Sequence, residues 1–251
     1  MIADIDEAKD WQGNDVDCTA CGHLALRDEG RCELRRACVN DRYARRIDRF
    51  FDWNGDLAND YLAHPHFEVR AIATKHADIF RLPPLFDDPD ETVRWNAARR
   101  LPKRQILKLR HDPHREVRIR IVTLLDDGDI IPMMNDEDYY VRLVIARRIS
   151  PSLLSPMMND AEQEVRAVVA RRIPQNLLMM MASDPEASVR VEVAQRISAD
   201  LLSWLRLDKD WRVRYEVATR IPVEQIGDLV DDQDMFVREM ARSRKKVRQC
   251  I

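Results

Sequence analysis

Residues 160–183 read DAEQEVRAVVARRIPQNLLMMMAS, and residues 184–207 read DPEASVRVEVAQRISADLLSWLRL. These two windows of 24 residues share Asp, Val-Arg, Val-Ala, Arg-Ile and Leu-Leu at matching positions. Moving outward, the Val-Arg pair recurs at Val69, Val93, Val117, Val141, Val165, Val189, Val213 and Val237, always 24 residues apart. A fixed period of this size marks stacked supersecondary units rather than one globular core. Counting nine residues before each Val and fourteen after, eight units run from Asp60 to Ile251.

With Val as position zero, proline falls at minus four (Pro89, Pro185), plus nine or ten (Pro102, Pro174) and plus fifteen (Pro132, Pro156), Pro83 being the exception. Proline lacks an amide donor and clashes inside a helix, so the proline-free stretch from minus three to plus eight is predicted helical. Asp at minus five (Asp88, Asp112, Asp136, Asp160, Asp184, Asp208, Asp232) is expected as its N-cap, with the next residue as the first helical one. Arg pairs such as Arg147-Arg148 and Arg171-Arg172 complement the negative end of the helix dipole. Positions zero, four, five and eight are apolar in most units, as in Val165, Val169, Ala170 and Ile173, and form one core-facing stripe. Leu or Ile at plus thirteen and Leu or Met at plus sixteen, interrupted by proline, suit a short 3₁₀ helix better than a strand. The expected fold is all-α: a superhelical solenoid of eight 24-residue repeats, each an α-helix followed by a 3₁₀ helix.

Upstream, Val39, Ala44, Arg45, Arg46 and Ile47 resemble a degenerate further copy, with a helix expected to begin near Val39. The chain therefore divides into a segment 1–59, holding this copy, and a solenoid 60–251. Four of the five cysteines fall in the first segment: Cys18, Cys21, Cys32 and Cys38, with Cys250 alone at the other end. A CxxC pair followed by two further thiols within a short loop makes a Cys₄ metal set, which suits both zinc and an iron–sulfur cluster. Arg27, Arg31, Arg35 and Arg36 lie among these thiols, either offsetting thiolate charge or forming a solvated face.

The Val-Arg helix, the Ala-Arg-Arg-Ile-Pro helix end and the Leu-x-x-Leu/Met sequel, led by four cysteines, resemble the leucine-rich repeat variant family. That resemblance covers nearly the whole chain. It implies alternating α and 3₁₀ helices in a right-handed superhelix, and a 4Fe-4S cluster on Cys18, Cys21, Cys32 and Cys38.

Composition narrows the function classes. Charged residues make up 34% and glycines number only six, which favours a helical chain, and the net charge of -3 gives no overall attraction to nucleic acid. The one basic run, Arg242, Arg244, Lys245, Lys246 and Arg248, reads as a charged, solvated end. The start, MIADIDEAKDWQ, lacks the basic and apolar pattern of a signal peptide, so a cytoplasmic location is expected, where clustered cysteines mean metal or redox chemistry. No Gly-rich phosphate loop, GxSxG or HExxH occurs, and His64 and His66 flank Pro65 as an ordinary turn. Arg at plus one (Arg70 through Arg238) is expected to pair with a capping Asp or a helix-end carbonyl of a neighbouring repeat. The Met pairs at plus sixteen are expected in the core, and Tyr139, Tyr140 and Trp211 on an exposed face. These features support a non-catalytic scaffold for an unidentified protein partner, with no membrane or nucleic-acid role. Electron transfer and a zinc-capped binding module are the competing expectations.

Overall fold

The computed structural model describes residues 7–249, with side chains through residue 246; the acidic opening of the chain, the Arg248 side chain, Cys250 and Ile251 lie outside the described residues. The chain divides into two compact units, with the boundary in sequence between Leu125 and Asp126. The first holds α1 (Leu24–Asp28), α2 (Ala44–Trp53), α3 (Phe67–Ala73), α4 (Glu91–Ala98), α5 (Lys103–Ile106) and α6 (Arg115–Leu124). The second holds α7 (Asp127–Ile130), α8 (Tyr139–Arg148), α9 (Gln163–Arg172), α10 (Ala187–Arg196), α11 (Trp211–Arg220) and α12 (Met235–Gln249). Between the longer helices run 3₁₀ segments such as Gln175–Met181 and Ala199–Leu205. Among the described residues the only β pairing is two isolated bridges, and no helix is long and apolar enough to cross a membrane.

Side-chain periodicity explains the stacking. Within the second unit α8 packs on α9, α9 on α10, α10 on α11 and α11 on α12; within the first, α2 packs on α3 and α3 on α4. Val165, Val169, Ala170 and Ile173 are completely buried, as their equivalents are one repeat later at Val189, Val193, Ala194 and Ile197. The 3₁₀ segments close each repeat with Leu178 and Met181, or Leu202 and Leu205, all buried. Met133, Met157 and Met181 therefore fill core, whereas Met180 is 68% exposed. Ile173→Val removes one methylene from a filled site and should cost about 0.5 to 1.5 kcal/mol in urea unfolding. Met180→Ala should stay within about 0.5 kcal/mol of the parent, as exposed substitutions do.

The Asp at minus five is not the N-cap. Each repeat helix starts two residues later than expected, and where an Asp stands at minus three it is the cap: the Asp90 carboxylate accepts from Thr92 N at 2.8 Å, Asp138 from Tyr140 N and Asp210 from Arg212 N. The minus-five Asp instead folds a turn, Asp184 accepting from Glu186 N at 2.9 Å, and receives the Arg of the preceding repeat. Arg166, Arg190 and Arg214 each place Nε and Nη2 on the carboxylate of Asp184, Asp208 and Asp232, at 2.7 to 3.1 Å. The same guanidinium turns Nη1 onto carbonyls at the start of its own repeat, Arg190 bonding Asp184 O at 2.8 Å and Pro185 O at 3.0 Å. Arg70–Asp88 and Arg94–Asp112 repeat the pattern in the first unit. With most of its donors occupied in bidentate geometry, each buried Arg is neutralised where it sits.

A second set of arginines, at plus seven, satisfies helix ends. Arg196 donates to Ala170 O at 2.6 Å and Ile173 O at 2.8 Å, and Arg244 to Ala218 O at 2.8 Å and Ile221 O at 2.7 Å. These carbonyls belong to the last turn of the preceding helix, which has no intrahelical donors for them. Arg242 likewise bonds Val230 O and Asp231, so two residues of the basic run are engaged within the fold.

Candidate metal centre

The four thiols are gathered by three short turns. Around Cys18 and Cys21 the chain folds tightly, Cys21 N donating to Cys18 O at 3.4 Å, and runs on into α1. That helix ends in a Schellman motif: Gly30 N bonds Arg27 O at 3.0 Å and Arg31 N bonds Leu26 O at 2.7 Å. Gly30 takes φ +74°, left-handed backbone that suits glycine, and the chain reverses to deliver Cys32. A turn closed by Glu33 and Ala37, with Arg35 at φ +65°, then brings Cys38 beside it.

Beyond Cys38, α2 begins at Ala44 rather than near Val39. The intervening residues are tied down first: Cys38 N donates to Arg46 O at 3.1 Å, and buried Asp41 binds Tyr43 N at 3.0 Å and Arg46 Nη1 at 2.9 Å. Arg46 also donates to Glu7 O at 2.9 Å, fastening the start of the described chain. Val39 is buried within this loop, and the helix packs through Ile47, Phe50 and Phe51.

Cys32 and Cys38 are buried and hydrogen-bond each other; Cys18 and Cys21 are half-buried and close enough to act electrostatically on Cys32. Burial pushes the Cys18 thiol up, and the Arg27 guanidinium beside it opposes that shift. In the Cys32–Cys38 pair the shared hydrogen bond favours the thiolate at Cys32 and raises Cys38, which burial raises further. Arg27 is the arginine that faces thiols; Arg31 pairs with Asp56 and Arg36 with Glu33 and the Trp53 ring.

Donors point at the sulfurs. Cys21 Sγ accepts from His23 N at 3.5 Å and from Asn40 Nδ2 at 3.4 Å, and the Asn40 backbone N–H bonds the Cys38 sulfur. Around them His23 hydrogen-bonds the Tyr61 hydroxyl, and both rings pack on Phe50. Burial, and after it the charge that the adjacent Cys21 and Cys38 sulfurs would carry, push the Tyr61 phenol up to about 12, and burial lowers His23. Four soft donors, one guanidinium and several N–H groups aimed at sulfur fit an anionic, thiolate-ligated centre. Asn40 and Tyr61 were not singled out from sequence, although the Cys21-x-His23 and Cys38-x-Asn40 spacing is what places a backbone N–H on a thiolate two residues back. Asp48, Asp52 and His76 also converge, but Lys75 Nζ sits 2.7 Å from Asp48 and supplies the cation there.

A family model described as the LRV protein FeS4 cluster matches residues 8–60. The chain is similar to a solved structure described as a leucine-rich repeat variant with a novel repetitive structural motif: 40% identity, TM-score 0.84, covering 91% of this chain and 98% of that one. It is also similar to an uncharacterized 27.7 kDa protein in the nifB 3′ region of Rhodobacter capsulatus, 48% identical over 96 residues. That match covers 38% of this chain and spans 39% of the length of the curated relative. An engineered protein at 14% identity aligns with a TM-score of 0.38, too distant to carry an argument.

Proposed function

Because this chain belongs to the leucine-rich repeat variant family and its N-terminal segment matches that family's iron–sulfur module, we propose that Cys18, Cys21, Cys32 and Cys38 hold a 4Fe-4S cluster capping a non-catalytic interaction scaffold. The observation that carries this reading is the set of N–H donors from His23 and Asn40 directed at ligand sulfur, together with Arg27. Hydrogen bonds and positive charge at thiolate sulfur are the means by which a protein sets a cluster's potential, whereas structural zinc makes no redox use of them. Such a cluster supplies one-electron chemistry or a response to iron. The chain's own contribution is to fix the thiols, shield them with Phe50, Tyr61 and His23, and join Cys38 to α2 through Arg46.

The scaffold reading rests on repeated helices that present variable residues at minus two and minus one, where Tyr139, Tyr140 and Trp211 are exposed. Cytoplasmic residence follows from thiols kept reduced for metal. Partial exposure of Cys18 and Cys21 favours electron transfer as the second reading. Metal and acid-labile sulfide analysis of anaerobically purified protein decides the cofactor: iron and sulfide in equal amounts are expected, and zinc without sulfide overturns it. Retention of a partner from native extract in one redox state and not the other supports the switch; retention in neither removes the scaffold. Asn40→Leu deletes one donor to Cys21 Sγ, so the cluster should remain bound while its midpoint potential falls in electrochemical titration.

A further inference from the structure

Between α10 and α11 lies an open groove of about 560 Å³, walled by Trp211, Tyr215, Phe236 and Val191 and edged by the carboxylates of Glu192 and Glu216. Its size is that of a ligand site. Trp211 and Phe236 are 42% and 52% exposed, with ring centroids 5.9 Å apart. The charges around it are unequal. Arg171 neutralises Glu192, and Arg212 is chelated by Asp210 at 2.9 and 2.8 Å. Glu216 Oε1 accepts only from the neutral amide of Gln195, at 3.2 Å, and has no cation against it among the described residues.

The first unit shows what such a place accommodates. Trp95 stands two residues after its repeat Val, as Tyr215 does, and Arg120 of the following repeat lays its guanidinium 5.2 Å from the Trp95 ring centroid. Glu91 and Glu116 line that spot, and only about 90 Å³ remains open. At the Tyr215 groove the position equivalent to Arg120 is Met240. The aromatic at plus two is thus repeated and the internal cation is not, while the carboxylate beside it is Glu216 at plus three instead of Glu91 at minus two and Glu116 at minus one.

We infer that this groove docks an arginine side chain of a protein partner, its guanidinium on Glu216 and its flat face and stem against Trp211 and Tyr215. Arginine fits better than lysine, because a planar fork both pairs with a carboxylate and stacks on an aromatic ring. The inference rests on the scaffold reading and specifies the chemistry of the partner.

The test uses the full chain with its cluster and the peptide acetyl-Ala-Leu-Arg-Leu-Ala-amide, followed by calorimetry and by ring-current shifts of the peptide arginine. The arginine peptide should bind, and its citrulline counterpart should bind at least about tenfold more weakly, since only the charge is lost. Glu216→Gln should weaken the arginine peptide to a similar degree without moving Tm. Met240→Arg should supply the cation from within and abolish binding. Equal binding of the citrulline peptide, an unchanged affinity in Met240→Arg, or free arginine binding as tightly as the peptide would each overturn the docking. If the peptides fail while wild type and Met240→Arg retain the same partner from extract, the groove is refuted and the scaffold stands. If the peptides behave as expected and no partner is retained in either redox state, the groove stands and the scaffold falls.

Discussion

Arg214→Ala is expected to destabilise the second unit by about 3 to 5 kcal/mol in urea unfolding, because it removes one partner of a buried ion pair and leaves the other. The Arg214 and Asp232 side chains are each only 7% exposed, and the guanidinium meets both carboxylate oxygens at 2.7 and 2.8 Å. Asp232 would then keep a single donor, the backbone N–H of Asp234 at 2.8 Å, and the carbonyls of Asp208 and Lys209 would lose theirs. Replacing both partners, Arg214→Met with Asp232→Leu, removes the stranded charge and should recover much of the loss. Recovery stays incomplete, since those backbone groups remain without partners at about 1 to 3 kcal/mol each where water cannot reach them. Full recovery in the double variant would show that the arginines act through charge alone.

The same pair sets a pH dependence. The Arg214 guanidinium holds the Asp232 carboxyl below the ordinary carboxylate range, outweighing the opposite effect of burial. A depressed folded value means that the stability from this pair is fully present above the unfolded value, about 3.9, and is lost as pH falls through the lower folded value. The gap between wild type and Arg214→Ala should therefore be widest above about pH 4 and narrow in acid. A gap constant from pH 3 to pH 6 would place the effect in packing rather than charge.

Burial follows period, so the positions that build the core, from Val165 to Ile173 and on to Leu178 and Met181, could be read from spacing alone. The helix start could not. Asp184 is a good capping residue by type, but its carboxylate is occupied by Arg166, 18 residues earlier, and that long-range bond turns the chain before the helix begins. Arg at plus one was legible as a structural residue because it never varies and faces Asp at a fixed distance along the chain. Val39 misled for a related reason: it matches the repeat by type, yet Asp41 and Arg46 hold its loop open until Ala44. At the candidate metal centre the grouping of the four thiols was legible by clustering. The groups around them were not, because His23 and Tyr61 are 38 residues apart and Asn40 reaches Cys21 across 19.

Cys38→Ser should abolish the cluster and unfold the N-terminal segment, the largest loss of any single change. Cys38 is 3% exposed, bonds Cys32 through its thiol and holds α2 through its backbone N–H on Arg46 O. Serine is smaller, binds soft metal poorly and puts a hydroxyl where its partner is another thiol. Ligand binding and folding are one equilibrium in such small segments, so losing the centre removes the energy that orders the turns around Gly30 and Arg35. Cys32→Ser should match it, and Cys18→Ser and Cys21→Ser should lose the metal with less damage, since both side chains are half-buried. Iron and sulfide content reports the first effect. Hydrogen exchange reports the second: amides of α2, anchored at Cys38 and Arg46, should lose protection, while those of α9 to α11 keep theirs. Cys250→Ser should retain its iron. Equal losses at all five cysteines would contradict the ligand assignment, and unchanged exchange at α2 with the iron gone would make the cluster a passenger rather than the cap of the stack.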